Sequence, residues 1–201
     1  VHLVNNRGEG MAVDRRKLIL DAAIHSFSNY GYKATTMDQV SRSANVGKGT
    51  IYTFFKTKED LFREVVSMII LEMNAEAEDA IKSDNTTLEN VHAILCRLLT
   101  FRKSHQLTAK LIMEAKEIGT PAVLEAVDEL EEHILQAIRR KVDKAIKMKE
   151  IRECDPNLTA FIIVKMYKAL IYDWEEKHEP LSEEEIANYF KLYLFEGLSY
   201  A

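Results

Sequence analysis

Residues 36–55 read TMDQVSRSANVGKGTIYTFF, and this stretch decides the fold. Thr36 followed three residues later by Gln39 is a capping box, a hydroxyl and an amide satisfying each other's backbone N–H groups at a helix start. The helix it opens is short. It runs through Val40 and Ala44 until Asn45-Val46-Gly47 breaks it, and a further short helix, Lys48 to Phe55, begins at once. There Lys48, Gly49, Thr53 and Lys56 can point outward while Ile51 and Phe55 point inward, as a groove-reading helix requires. Two short helices joined by about three residues are the layout of a helix-turn-helix, whose second helix enters the major groove of DNA. An ordinary helical corner has the same layout, so the residue types and their surroundings must separate the two.

Working outward, apolar residues precede the pair at Leu18/Ile19, Ala22/Ala23, Phe27 and Tyr30, predicting a helix from Asp14 that Gly31 stops. After the pair, Thr57 caps a long helix with Glu59 and Asp60 in its first turn, and its apolar face runs from Leu61/Phe62 to Ile81. A second capping box, Thr86 with Glu89, opens the next helix. A sixth runs from about Ser104 to Ile118 and ends at Gly119. Thr120-Pro121 and Asp155-Pro156 each place proline at a first helical position, opening helices that reach about Lys149 and Lys177. Ser182 with Glu185 starts the last. About nine helices result. From Ile51 onward two glycines and three prolines are too few for a sandwich or barrel, so the fold class is all-α.

A length of 201 residues with 47% hydrophobic composition supports a real core. Cys96 and Cys154 form no C-x-x-C pair, which suggests neither a disulfide framework nor a metal site. No apolar run approaches the ~18 residues that span a bilayer, and no signal-peptide order is visible, so the expectation is a cytoplasmic protein. Residues 1–12 lack periodicity and are expected to be an arm outside the fold. Taken whole, the net charge of -5 argues against a polyanion as partner, but it is unevenly spread. Residues 1–63 carry 10 Lys+Arg against 6 Asp+Glu, net +4, and the remainder 17 against 26, net -9. A basic head on an acidic body points to nucleic-acid or membrane contact by the head.

The residues Arg16, Ile19, Ala22-Ala23, Phe27, Gly31-Tyr32, Ala34-Thr35-Thr36, Val40-Ser41, Ala44 to Tyr52, Phe54-Phe55, Lys58-Glu59 and Leu61 closely resemble the N-terminal domain of the TetR family of bacterial transcriptional regulators. The resemblance covers some 48 residues, about a quarter of the chain. It implies a DNA-binding domain over 13–60 and a helical effector-binding and dimerisation domain over 61–201. By the same resemblance Thr36, Gly47, Lys48, Gly49, Thr50, Tyr52, Thr53, Phe54 and Lys58 form the DNA-binding surface. Thr36, Thr50, Tyr52 and Lys58 would meet the sugar-phosphate backbone, Lys48 a base edge or phosphate, and Gly49 would let the backbone approach closely. Lys58 opposes the helix dipole at its position, which favours a role beyond folding. Position 47, often Ser in the family, is Gly here, and position 54, often His or Tyr, is Phe. Base reading would then lean on apolar contact and DNA shape.

A lone helix-turn-helix reads few bases, so a two-fold homodimer on a pseudo-palindromic operator is expected. The resemblance places its seam on the last two helices, through Phe161, Leu170, Tyr189, Phe190, Tyr193 and Leu194. Candidate pocket residues for a small hydrophobic or amphipathic effector are Met68, Cys96, Phe101, His105, Met113, Tyr167 and Trp174, each of which ordinary core packing also explains. The function expected is a ligand-responsive repressor, not an enzyme, with no cofactor and no metal. Two Glu-x-x-His pairs, Glu89/His92 and Glu175/His178, match the di-iron bundle pattern, but both lie near helix ends rather than mid-helix in a core. A helical module docking its basic end on a protein or membrane is the remaining alternative.

Overall fold

The first helix continues toward the N-terminus past the point at which its apolar stripe begins. In the computed structural model, which describes residues 7–104 and 106–196, α1 spans Arg7–Ala34 and so starts seven residues before Asp14. Residues 7–12, expected as an arm, are therefore helical backbone. Their glycines and missing stripe hide this in the sequence, because a helix nucleated from Asp14 onward adds further turns at little cost. The remaining helices are α2 (Met37–Ser43), α3 (Lys48–Phe54), α4 (Lys58–Asp79), α5 (Thr87–Ser104), α6 (Gln106–Glu117), α7 (Pro121–Lys147), α8 (Pro156–Lys168) and α9 (Glu183–Phe190). Among the described residues there is no strand.

All three capping boxes form. The Gln39, Glu89 and Glu185 side chains accept from the backbone N–H of Thr36, Thr86 and Ser182 at 2.8 Å each. Asp155 caps α8 by accepting from the N–H groups of Asn157 and Leu158. The last two long helices end in an unpredicted way: each passes into a single π-helical turn, Ala169–Asp173 after α8 and Lys191–Phe195 after α9. Side-chain periodicity near 3.6 does not reveal such a turn.

The chain divides into two compact units. One takes in the described residues up to Ile69 and those from Gln106 to Val127. Its core is Ile19, Ala23, Phe27, Val40, Ile51, Leu61, Phe62 and Val65, all essentially removed from solvent. The rings of Phe27 and Phe62 meet edge to face at 5.3 Å, and Tyr32 lies 4.6 Å from Phe62, a geometry that adds to simple area burial. In this unit α1 packs along α6.

The other unit takes in Ile70–Ser104 and the described residues from Asp128. Leu95, Leu99, Val142, Ala145, Ile151, Ile163, Ile171, Ile186 and Phe190 form its core, so α5, α7, α8 and α9 share one apolar centre. Glu131 on α7 holds both Lys165 at 2.6 Å and Lys168 at 2.7 Å on α8. Burial works to raise the Glu131 pKa, but the two lysines outweigh it and hold the carboxyl below its usual range.

Candidate nucleic-acid interface

Helix α3 keeps its two faces apart. Ile51 and, just past the helix end, Phe55 are buried, whereas Gly47, Lys48, Gly49, Tyr52 and Thr53 are exposed and Thr50 and Phe54 half-buried. The break before it is made by Asn45, at φ 53°, a left-handed conformation that Asn tolerates. The N–H groups of Asn45 and Val46 reach back to the carbonyls of Arg42 at 3.1 Å and Ser41 at 2.9 Å. Gly47 is extended, at φ -65° and ψ 149°, and caps α3 without a side-chain hydrogen bond. The missing hydroxyl at this position thus leaves a bare helix start as well as one polar handle fewer.

Several expected contact groups already have partners in the chain. The Thr36 hydroxyl accepts from the Gln39 N–H at 3.2 Å, and Thr53 donates to the Thr50 carbonyl at 2.7 Å. Exposed Lys48 pairs with Asp38 at 2.9 Å, and that hydrogen bond raises the lysine pKa. Lys58 donates to the carbonyls of Tyr32 at 2.9 Å and Thr35 at 3.0 Å, and its ammonium lies 4.1 Å from the Tyr32 ring centre. Capping the end of α1 is thus a sufficient folding reason for the Lys58 charge that the helix dipole disfavours, and two of its three protons are committed there.

Around that α1 end lies a network the sequence reading missed. Glu114, only 5% exposed, accepts from the N–H of Tyr32 at 2.7 Å and of Lys33 at 2.9 Å, and from the Thr120 hydroxyl at 3.2 Å. Gly31, at φ 80° and ψ 168°, turns the chain so that both N–H groups face this carboxylate. The Tyr32 hydroxyl donates to Glu59 at 2.7 Å. Burial, followed by this carboxylate, pushes the phenol well above its ordinary pKa, and the same hydrogen bond lowers that of Glu59. A signal for Glu114 did exist: Leu107, Leu111 and Glu114 share one helical stripe, putting a carboxylate in line with buried leucines.

The cavity of this chain is lined by residues other than those named from the sequence. The second unit holds a cavity of about 120 Å³ whose walls come from Ile70, Met73, Asn74 and Ala77 on α4, Thr87 to Leu98 on α5, and Leu130 to Ala145 on α7. Asn74 and His133 meet at 3.0 Å on its wall, a polar pair in a nearly all-apolar lining. Of the residues named from the sequence, none of the six that the structure describes is among those lining it. Met68 and Cys96 lie about half a helical turn away from the lining faces of α4 and α5, and Phe101 is buried a turn beyond Leu98. Met113 opens instead onto a cleft between α1 and α6. Tyr167 packs on the core, and Trp174 is 40% exposed and stacked on His178. His105 lies outside the described residues. On α8 and beyond α9, Leu158, Phe161, Ile162, Leu192 and Tyr193 are exposed, with Tyr189 stacked on Tyr193. Phe190 is not on this surface, since it is fully buried in its own unit, and Leu170 and Leu194 lean on the same core. Neither Glu-x-x-His pair is arranged for iron. Glu89 closes its capping box, His92 sits 3.7 Å from the Cys96 sulfur, and His178 stacks on Trp174.

The pattern describing bacterial regulatory proteins of the tetR family matches residues 19–65, and that of the tetracyclin repressor-like C-terminal domain matches 84–198. The chain belongs to the TetR family of transcriptional regulators. It is 52% identical over 189 residues to the uncharacterized HTH-type transcriptional regulator YhgD of Bacillus subtilis (strain 168), covering 94% of this chain and 99% of that one. Among solved structures of this fold, the SmeT-triclosan complex superposes with a TM-score of 0.74 at 18% identity, covering 89% of this chain and 90% of SmeT. AibR in complex with isovaleryl coenzyme A and operator DNA has a TM-score of 0.65 at 20% identity, covering 90% of this chain and 98% of AibR. This TetR-family chain thus has both halves of the family pattern, the helix-turn-helix and the helical C-terminal domain.

Proposed function

We propose that this regulator is a homodimeric repressor that acts in the cytoplasm on a pseudo-palindromic operator and leaves it when a small hydrophobic or amphipathic ligand fills the cavity of the second unit. The observation that carries the DNA-reading half is Gly49. It is the second residue of α3, where glycine is still a weaker helix former than alanine, and it is not in the left-handed region. A Cβ there would meet nothing within 4 Å. Nothing inside the chain asks for glycine, and a DNA backbone approaching from outside does. Thr36, Lys48, Thr50, Tyr52, Thr53, Phe54 and Lys58 would share the contact, with Lys48 exchanging Asp38 for a base edge or phosphate and Lys58 offering its remaining proton.

The cavity supports the ligand half. Its volume is of the order of the ~150 Å³ cavity that takes up benzene, and Asn74 with His133 would orient one polar group. SmeT, in a complex with triclosan, and AibR, in a complex with isovaleryl coenzyme A and operator DNA, share this fold, which supports a small-molecule ligand here. α4 runs from the core residues Leu61 to Ile69 directly into the cavity residues Ile70 to Ala77. A ligand that binds a shifted α4 more tightly would lower the population of the DNA-competent state. The exposed stripe Leu158, Phe161, Ile162 and Tyr193 would form the dimer seam.

The test is to recover genomic fragments that bind the pure protein, footprint them, and add triclosan and medium-chain carboxylic acids to the complex. A footprint with two-fold symmetry, shifted in sequence preference by Lys48→Ala and released by at least one of these compounds, is expected. Identical footprints for wild type and Lys48→Ala would remove base reading from Lys48.

A further inference from the structure

We infer that Glu114 is a positioning residue for the DNA-reading head: its carboxylate fixes the tail of α1, to which the helix-turn-helix is joined, on α6 and the start of α7. The inference rests on the DNA-reading function proposed above. The geometry is unusual for a structural glutamate. A carboxylate buried to 5% exposure accepts from two consecutive backbone N–H groups, of Tyr32 and Lys33, and from the Thr120 hydroxyl. The N–H pair cannot turn toward it without Gly31. The backbone there occupies a region open essentially to glycine alone, and a Cβ at Gly31 would stand 2.5 Å from the Glu114 Oε2 atom.

What the carboxylate holds is the segment between α1 and α2. Thr35, the residue before the capping Thr36, donates to the Gly31 carbonyl at 2.7 Å, and Lys58 at the start of α4 donates to the carbonyls of Tyr32 and Thr35. Residues 31–36 are thus gripped from both sides, by a carboxylate on their N–H groups and by an ammonium on their carbonyls. The start of α2, and with it the pair α2–α3, takes its direction from this segment. The third bond reaches Thr120, immediately before Pro121 at the start of α7, the helix whose residues from Leu130 onward line the cavity. One side chain therefore joins the tail of α1, its own helix α6, and the residue that precedes the cavity helix.

Both a carboxylate and its length are needed. Glutamine in its place keeps the shape but turns an NH2 group toward one of the three donors, leaving that pair repelled and one buried N–H or hydroxyl unsatisfied. The test is made on the full chain with an operator fragment recovered as above. Glu114→Gln is expected to bind it about tenfold more weakly, within the range for residues acting through a packed network. Amide exchange at Tyr32 and Lys33 should accelerate in the same variant. The slope of log affinity against log salt should stay as in wild type, because no phosphate contact is lost. Ile171→Val, a truncation in the other unit's core, lowers the unfolding midpoint without changing affinity, and so separates positioning from loss of stability.

Wild-type affinity in Glu114→Gln, or an equal loss in Ile171→Val, overturns the inference. A wild-type protein that binds no DNA overturns the function beneath it instead. Should Glu114→Gln fail to fold, Thr120→Val decides, since it removes one of the three bonds at nearly constant shape. It should weaken operator binding about threefold and quicken exchange at Tyr32 and Lys33, and no change in either overturns the inference.

Discussion

The two units use their interiors in opposite ways. In the first, Phe27, Tyr32 and Phe62 fill the centre ring against ring, and the polar groups beside them are tied by named partners, Glu114, Lys58 and Glu59. In the second, helices α4, α5 and α7 line a mostly apolar cavity beside the packed core, with Asn74 and His133 paired on its wall. A reading head has to present the same surface each time it meets DNA, and close packing with satisfied polar groups secures that. On the ligand-binding reading proposed above, the cavity leaves room in the second unit for a small molecule.

The largest test of this contrast is truncation on each side. Phe62→Ala should cost about 3–5 kcal/mol and abolish DNA binding at physiological temperature, whereas Leu98→Ala, on a wall that already faces a void, should cost less than the ~2–5 kcal/mol usual for a buried leucine. Chemical denaturation of both variants checks this, and equal losses would erase the distinction between filled and hollow units. Next in size, Gly31→Ala should destabilise by about 1–3 kcal/mol, because it forces a Cβ into a glycine-only backbone region and against Glu114. Thermal melts compared with Gly31→Ala in a Glu114→Ala background separate the two causes, the clash vanishing with the carboxylate.

A smaller effect with opposite signs is expected for Gly49→Ala. The fold should gain about 0.5–1 kcal/mol from better helix propensity while operator binding weakens, since the new methyl meets no protein atom but stands where DNA would approach. A variant that gains stability and keeps full affinity would leave Gly49 without a reason. The least of the four concerns acid. Glu59, Glu89, Glu131 and Glu185 all titrate below the ordinary value of 4.5. Their folded pKa values lie below the unfolded ones, so their contribution is complete above pH 4.5 and lost as pH falls through the lowered values. Circular dichroism during acid titration should show Glu131→Gln less sensitive to acid than wild type over that range.

Local chemistry was legible where one residue answers another within a turn. Thr36 with Gln39, Thr86 with Glu89, and Ser182 with Glu185 could be read as helix starts because both halves of each box lie three residues apart. Ile51 and Phe55 could be read as inward by spacing alone. The misses share a different cause. Glu114 meets Tyr32 and Lys33 across more than eighty residues, and no local pattern announces such a partner. The residues that line the cavity follow helical phase rather than residue type. Thr87, Val91, Ile94 and Leu98 stand on one face of α5, and Cys96 stands opposite. Phe190 shows the limit of an apolar stripe, which says that a residue is buried but not in which chain.

The pairing of Lys48 with Asp38 has one more consequence, for how this head would respond to ionic strength. A lysine facing a phosphate ordinarily displaces about one condensed cation from the duplex. Lys48 instead arrives with a counterion from the protein itself, the carboxylate of Asp38 at 2.9 Å, which it exchanges on meeting the duplex. The salt sensitivity of the complex should therefore count fewer cations than the basic residues on its face, and Asp38→Asn should raise both the affinity and the steepness with which salt removes it.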